Sequence, residues 1–364
     1  METKIFDLKE LNKHNLEQSL VYDNAEANEI VDKALGKIDE AAQIILDGGL
    51  VAFPTETVYG LGANALDPEA VAKIFSAKGR PSDNPLIVHI ARASNIGELT
   101  PVLTPEIVRI IDNFWPGPLT IVLPKKASVP DITTGGLNTV AIRMPDNPIA
   151  LELIKRAGCP IAAPSANISG RPSPTKGEHV VKDMDGKIDA ILIGDDCRIG
   201  IESTVLDLTG DIPTILRPGF ITPEDIEAVI GGKVEMDPAL NQRKNKFSDC
   251  EDEENLIPKS PGMKYKHYAP KAEMLILEGN REKVKSEIER LKGLNEQLGL
   301  KVGVILFEEK AFIEAAHEFF AKLREMDDEN VDLILAGALS ESDGVGFAVM
   351  NRMLKSAGYR IAKV

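Results

Sequence analysis

The strongest constraint on this chain is a change of pattern partway along it. Before Gly231-Gly232, short Ile/Val-rich runs outnumber helical stretches and often follow one another with no helix between them. From Ala272 onward, strand and helix patterns alternate. The first pattern predicts a mixed, twisted sheet with flanking helices, and the second a smaller parallel α/β unit. Length agrees, because 364 residues exceed the size at which one hydrophobic core usually stops growing.

Residues 1–34 read as a polar N-terminal extension, with a short strand near Lys4–Leu8 and a helix near Glu26–Leu35. The first unit is predicted over 35–232. Ile38–Leu46 repeats apolar residues at helical spacing and stops at Gly48-Gly49, and Leu50–Phe53, closed by Pro54, reads as a buried strand. Asp67-Pro68 begins a helix, since Asp caps free amides and Pro is preorganised for the first helical position. That helix carries Val71, Ile74 and Phe75 on one face and runs out at Gly79-Arg80-Pro81. Further strands are predicted at Leu86–Ile90, Leu119–Leu123, Val140–Met144, Ile161–Ala163, Ala190–Ile193, Thr204–Leu208 and Thr214–Leu216, with helices near Pro105–Asn113 and Pro148–Ala157.

A connecting segment, 233–271, is polar from Asn241 to Asn255, includes the acidic run Asp249–Glu254, and ends in Ser260-Pro261-Gly262-Met263-Lys264-Tyr265-Lys266-His267-Tyr268-Ala269-Pro270. The second unit, 272–364, is predicted as a Rossmann-like parallel α/β domain. Its strands fall at Met274–Leu277, Val302–Phe307, Val331–Ala336 and Tyr359–Ala362, and its helices at Arg281–Leu298, Ala311–Glu325 and Gly344–Ala357. It lacks a Gly-x-Gly-x-x-Gly after its first strand and clustered titratable groups, which points to a packing or lid-bearing role.

Composition narrows the function classes. A hydrophobic fraction of 43% and a charged fraction of 27% are those of an ordinary globular protein. No run approaches the ~20 apolar residues of a membrane span, and the first thirty residues lack a signal peptide's basic start and apolar centre, so a cytoplasmic protein is expected. A net charge of −15 argues against stable nucleic-acid binding. Cys159, Cys197 and Cys250 are far apart and five histidines are scattered, so neither a disulfide framework nor a protein-built metal site is predicted.

The chemistry concentrates in the first unit. No Gly-x-x-x-x-Gly-Lys-Ser/Thr is present, so a phosphate site would have to use cations and hydroxyls at strand and helix ends. Lys78 and Arg80 flank Gly79 at a helix end, where cations also complement the helix dipole. Arg143 lies on an apolar strand with no carboxylate near it in sequence before Asp146, so an anionic ligand or a distant Asp or Glu must balance it. Arg217 repeats the theme at another strand end. Ala163-Pro164-Ser165-Ala166-Asn167-Ile168-Ser169-Gly170 offers small and hydroxyl residues to a close ligand, and Gly200-Ile201-Glu202-Ser203-Thr204 is a similar turn. A serine nucleophile at Ser165 or Ser203 is disfavoured, since neither lies in Gly-x-Ser-x-Gly or near a histidine in sequence.

In order, Gly49–Asn64 (GLVAFPTETVYGLGAN), Ile74–Ile90, Phe114–Leu123 (FWPGPLTIVL), Thr139–Pro145, Ala163–Pro174 (APSANISGRPSP), Ser203–Asp207, Leu216–Gly219 and Ser260–Pro270 resemble the YrdC-like family, specifically its long, two-domain threonylcarbamoyl-AMP synthases. The resemblance implies a YrdC-like catalytic domain, a linker covering the active site and ATP-dependent condensation of L-threonine with bicarbonate, with Mg2+ carried by ATP and the product passed to tRNA-modifying proteins. It also implies that Thr57, His89, Arg143, Ala163 and Ser203 line the threonine pocket. Arg80, Asn84, Thr139, Ser165, Asn167, Ser173 and Arg217 would hold ATP, with Lys78 and Arg80 at the reacting phosphates. Tyr265 or Tyr268 would cover the nucleotide, with His267 close by. Two alternatives stand beside it: an RNA-binding module without catalysis, and a carbamoyl-transfer domain of the type attached to hydrogenase-maturation proteins, whose accompanying zinc-finger and acylphosphatase segments this chain lacks.

Overall fold

The computed structural model describes residues 2–11, 15, 19, 25–241, 268–341 and 343–364. Its strands in chain order are β1 Lys4–Asp7, β2 Val51–Phe53, β3 Gly60–Asn64, β4 Ile87–His89, β5 Leu119–Pro124, β6 Thr139–Arg143, β7 Ile161–Ala162, β8 Ala190–Ile193, β9 Thr204–Asp207, β10 Thr214–Arg217 and β11 Glu235–Met236. The second unit adds β12 Glu273–Glu278, β13 Val302–Ile305, β14 Leu333–Gly337 and β15 Ile361–Lys363. One sheet has eleven strands in the order β1-β8-β2-β3-β7-β4-β6-β5-β9-β10-β11, and the other four in the order β13-β14-β12-β15. Parallel pairs such as β4–β6 and antiparallel pairs such as β5–β6 alternate irregularly in the first sheet, whereas every pairing in the second is parallel. The predicted fold class is the observed one.

Local signals account for most elements. Asp67 accepts hydrogen bonds from the amides of Glu69 and Ala70, and Gly79, at φ 61°, ends the helix Pro68–Lys78 in the left-handed region. Asn147 caps Pro148–Ala157 in the same way, with Gly158 closing it. The helices expected separately at Glu26–Leu35 and Ile38–Leu46 are one helix, Ala25–Leu46. Gly36 does not break it, because a side chain there would meet nothing and the buried stripe Val31, Ala34, Ile38, Ala41 runs straight through.

Among the elements with no sequence expectation are β3 and the helices Gly177–Met184 and Pro223–Ile230. β3 has no apolar alternation to announce it. Its glycines serve packing instead, since a Cβ on Gly62 would stand 2.7 Å from Ile161 Cγ2 and 2.8 Å from the Phe53 ring. The large sheet also draws on residues on either side of 35–232. Residues before 35 supply β1, paired with β8 from Lys4↔Ala190, and β11 extends the same sheet past 232. Such pairing joins distant segments and leaves no local mark.

The two units share apolar packing. Val58, Ile199 and Ile201 of the first belong to the same buried cluster as Phe319, Phe320, Val349 and Met353 of the helices Phe312–Asp328 and Gly344–Ser356. Arg324, 5% exposed, crosses between them to the Pro172 carbonyl and, at 2.8 Å, to Asp183.

Candidate active site

At the centre of the large sheet a cleft is lined by Thr55, Thr57, Val58, Tyr59 and Gly60 from the β2–β3 connection, by Arg80, and by Ile87 and His89 of β4. Arg143 of β6, the segment Ala163-Pro164-Ser165 after β7, Glu202, Arg217 and Tyr268 complete it. The topology explains the convergence, because β3, β7, β4 and β6 are consecutive in the sheet, and Gly60 bridges directly to Ser165. A second, open depression on the other unit is bordered by Glu282, Glu287 and Arg290, with Arg290 and Glu287 paired at 2.6 Å on the surface.

His89 and Arg143 are register partners on adjacent parallel strands. Arg143 is buried, donates from Nε to the Gly117 carbonyl at 3.2 Å, and places Nη2 2.7 Å from Glu56 Oε1. The partner of Arg143 within the chain is thus a distant glutamate that strand topology brings to it. The contact is a close ion pair, and both Glu56 oxygens, Arg143 Nη2 and His89 Nδ1 have no hydrogen-bond partner among the described residues. Buried capacity of this kind is costly unless something uses it. Burial, reinforced by the Arg143 charge, pushes the His89 pKa down to about 3, so its ring is neutral at physiological pH.

Arg217 is aimed by a register shift between Ile215 and Arg217 in β10. It donates from Nε to the Ser203 carbonyl and from Nη2 to Ser203 Oγ, both at 3.0 Å, while Ser203 Oγ lies 2.7 Å from Thr120 Oγ1. Burial pulls its pKa down to about 10 against the opposing pull of Glu202. Ser203, expected on the threonine side, is buried and anchors Arg217 through these bonds.

Lys78, expected at the phosphates, makes its bonds within the chain to the loop after β7. It is buried, and its Nζ donates to the carbonyls of Ser165 and Asn167. Burial first, and then the charge of Arg80, push its pKa well below the ordinary lysine range. Asn167 also turns away from the cleft, donating to the Ile168 and Arg171 carbonyls at 2.8 and 3.0 Å, while its Oδ1 accepts from Ser165 Oγ. Together Lys78 and Asn167 clamp the turn that presents Ser165. Ser173 donates to Glu202 Oε1 at 2.6 Å behind the lining, and Thr139 pairs with Pro124 at the far end of β6 from Arg143. Asn84 is fully buried, and neither amide atom has a hydrogen-bond partner among the described residues.

Of the predicted residues, then, Thr57, Arg80, His89, Arg143, Ala163, Ser165, Arg217 and Tyr268 meet in the cleft. Tyr265 and His267 lie outside the described residues. Tyr268 is buried, has φ 65°, and tilts against Phe320 with ring centroids 5.1 Å apart. Sequence reasoning missed Thr55, Val58, Tyr59, Gly60, Ile87, Pro164 and Glu202 as lining residues. Most fall inside segments already singled out. Glu202 alone had an unforeseeable partner, Arg352 of the second unit.

Known proteins share both halves of this architecture. A family model described as telomere recombination matches residues 43–219, and one described as threonylcarbamoyl-AMP synthase, C-terminal domain, matches residues 221–358. The threonylcarbamoyl-AMP synthase of Pyrococcus abyssi is 51% identical over 90% of this chain and 96% of its own length. That of Bacillus subtilis is 47% identical over 90% and 94%. Among solved structures, P. abyssi Sua5 complexed with L-threonine superposes with a TM-score of 0.83 at 50% identity, covering 91% of this chain and 96% of that one. A doubly substituted variant of P. abyssi Sua5 gives 0.85 at 45% identity, covering 100% and 98%. With both halves matched in order and full-length relatives at about half identity, the chain belongs to the threonylcarbamoyl-AMP synthase family, in its two-domain form.

Proposed function

We propose that this chain condenses L-threonine, bicarbonate and ATP to L-threonylcarbamoyladenylate and pyrophosphate. The observation that carries the reading is the convergence of Arg80, Arg143 and Arg217 with Thr55, Thr57 and Ser165 in one cleft of a chain closely similar to the P. abyssi protein crystallised with L-threonine. In the first step the threonine nitrogen bonds to the bicarbonate carbon and water leaves. In the second a carbamate oxygen attacks the α-phosphorus of ATP, and the bond to the β-phosphate oxygen breaks. Neither step needs a covalent enzyme intermediate. Both need a cationic cavity, shielded from water, that aligns a weak nucleophile with phosphorus.

Within that reading, Thr57, His89, Arg143 and Ala163 form the threonine side, with Ser203 holding Arg217 from behind. A neutral His89 can accept as well as donate, which suits an ammonium or amine neighbour. Arg80, Ser165 and Arg217 face the phosphates, with Asn84, Thr139 and Ser173 towards the nucleotide and Tyr268 over it. Lys78 and Asn167 act one layer back, by fixing Ser165. Magnesium enters with ATP: Glu56 and Glu202 already face Arg143 and Arg352, which fits a metal held by the phosphates themselves. No helix among the described residues is long and apolar enough to cross a membrane. We place the chain in the cytoplasm, its product passing to proteins that modify tRNA. An RNA-binding role without catalysis draws no support from arginines buried in a cleft.

Pyrophosphate release from ATP, measured with threonine and bicarbonate omitted in turn, tests the reading. Release should require both. Release that persists without threonine overturns it.

A further inference from the structure

Arg352 is the bulkiest fully buried side chain among the described residues, and it belongs to the second domain. Its guanidinium reaches out of that domain. Nε donates to Glu202 Oε2 at 3.1 Å, and Nη1 donates to the Pro218 carbonyl, next to Arg217. The other Glu202 oxygen accepts from Ser173 Oγ at 2.6 Å, the Tyr268 hydroxyl bonds to the same carboxylate, and Arg217 stands beside it. One carboxylate in the cleft wall thus ties together three residues on one side of the cavity, with a charge from the other domain balancing it.

Arg352 sits on a capped and well-packed helix. Its helix, Gly344–Ser356, is capped by Asp343 through the amides of Val345 and Gly346, and Val349, Met350 and Met353 lie in the shared core. A buried carboxylate deprived of its partner is strongly destabilised. Burial alone would raise the Glu202 pKa, but Arg352, Arg217 and Ser173 outweigh it and hold the carboxyl below its usual range. Arg324, the other buried arginine crossing between domains, contacts Pro172 and Asp183.

We propose that Arg352 is a positioning residue for the synthase site, acting through Glu202 to hold Ser173, Arg217 and Tyr268 in place, so that the second domain completes the nucleotide side of a cleft built by the first. The assignment of that side to ATP rests on the function proposed above.

The test uses the full chain and reads ATP affinity by titration calorimetry as well as turnover, so it does not depend on the identity of the second substrate. Arg352→Met should weaken ATP binding by at least about tenfold and introduce into the binding profile a carboxylate titration shifted upward from that of the unmodified protein, as Glu202 loses its partner while Arg217 and Tyr268 remain. Arg352→Lys, which keeps the charge, should recover part of the affinity and suppress the new titration. Glu202→Gln should weaken binding without adding a titration, and the double variant Arg352→Met/Glu202→Gln should be no worse than the weaker single variant. Arg360→Met, which removes an exposed pair with Glu273, should leave all readouts unchanged. Wild-type ATP affinity and pH profile in folded Arg352→Met, or additive effects in the double variant, overturn the proposal. If Arg352→Met does not fold, wild-type affinity in Glu202→Gln overturns it equally. Loss of the threonine requirement in the unmodified protein would instead overturn the reaction and leave the coupling measurable.

Discussion

His89 and Arg143 stand opposite each other across the parallel ladder of β4 and β6, both buried, and both line the cleft. Burial, reinforced by that proximity, sets the protonation state of the imidazole. With its pKa pushed to about 3 by burial and by Arg143, His89 refuses a proton that the unfolded chain accepts below about pH 6.5. Unfolding then takes up a proton, so stability is unaffected by this group above pH 6.5 and is lost as pH falls towards 3. The loss is up to about 1.4 kcal/mol per pH unit. Urea midpoints of the natural protein and His89→Gln, compared between pH 7.5 and 4.5, should converge as pH falls. His179, also pushed to about 3, is common to both proteins and cancels.

The Glu56–Arg143 pair, with side chains 1% and 4% exposed, should behave as a buried ion pair. Replacing Arg143 with Met strands the Glu56 carboxylate and is expected to destabilise the fold by about 3 kcal/mol while abolishing threonine-dependent turnover. Denaturant unfolding and pyrophosphate release measure the two effects separately. The double variant Glu56→Gln/Arg143→Met should recover most of the stability and none of the activity.

Lys78 is expected to matter through its loop. Lys78→Met leaves the carbonyls of Ser165 and Asn167 without their donor, at a cost of about 1–3 kcal/mol. Because Ser165 is displaced with the turn, KM for ATP should rise by about tenfold, with a smaller change in kcat. A fall in kcat alone would place the ammonium on the reacting phosphates after all.

Gly62→Ala tests the packing of β3. The added methyl would meet Ile161 and the Phe53 ring inside 3 Å, and neither can swing clear within the buried sheet. A loss of about 1–3 kcal/mol in urea unfolding is expected. Gly36→Ala, at a helical position where the new methyl meets nothing, should stabilise by about 1 kcal/mol.

Much of the fold was legible because its signals are local. Asp67-Pro68 and Gly79 bracket a helix through capping and a left-handed turn, and both could be read directly from the chain. β3 was not legible, because its Gly-Leu-Gly run answers to the Phe53 ring and Ile161, which come from two other strands. The site divides in the same way. Segments around Arg80, Ser165 and Arg217 stood out by residue type and that around Thr57 by family resemblance, but which side chains point into the cleft and which hold its walls depends on register. Lys78 and Ser203 were expected at the substrate, and only the fold shows that their bonds within the chain go to the Ser165 and Asn167 carbonyls and to Arg217.

The sequence by itself determined two α/β units, their strand and helix patterns, and the segments from which the cleft is built, since periodicity, caps and turns act within a few residues. Only the tertiary structure decided the charge partners. Glu56 meets Arg143 and Glu202 meets Arg352 because sheet order and domain docking bring distant segments together, and a buried charge must be balanced by whichever group the fold delivers to it.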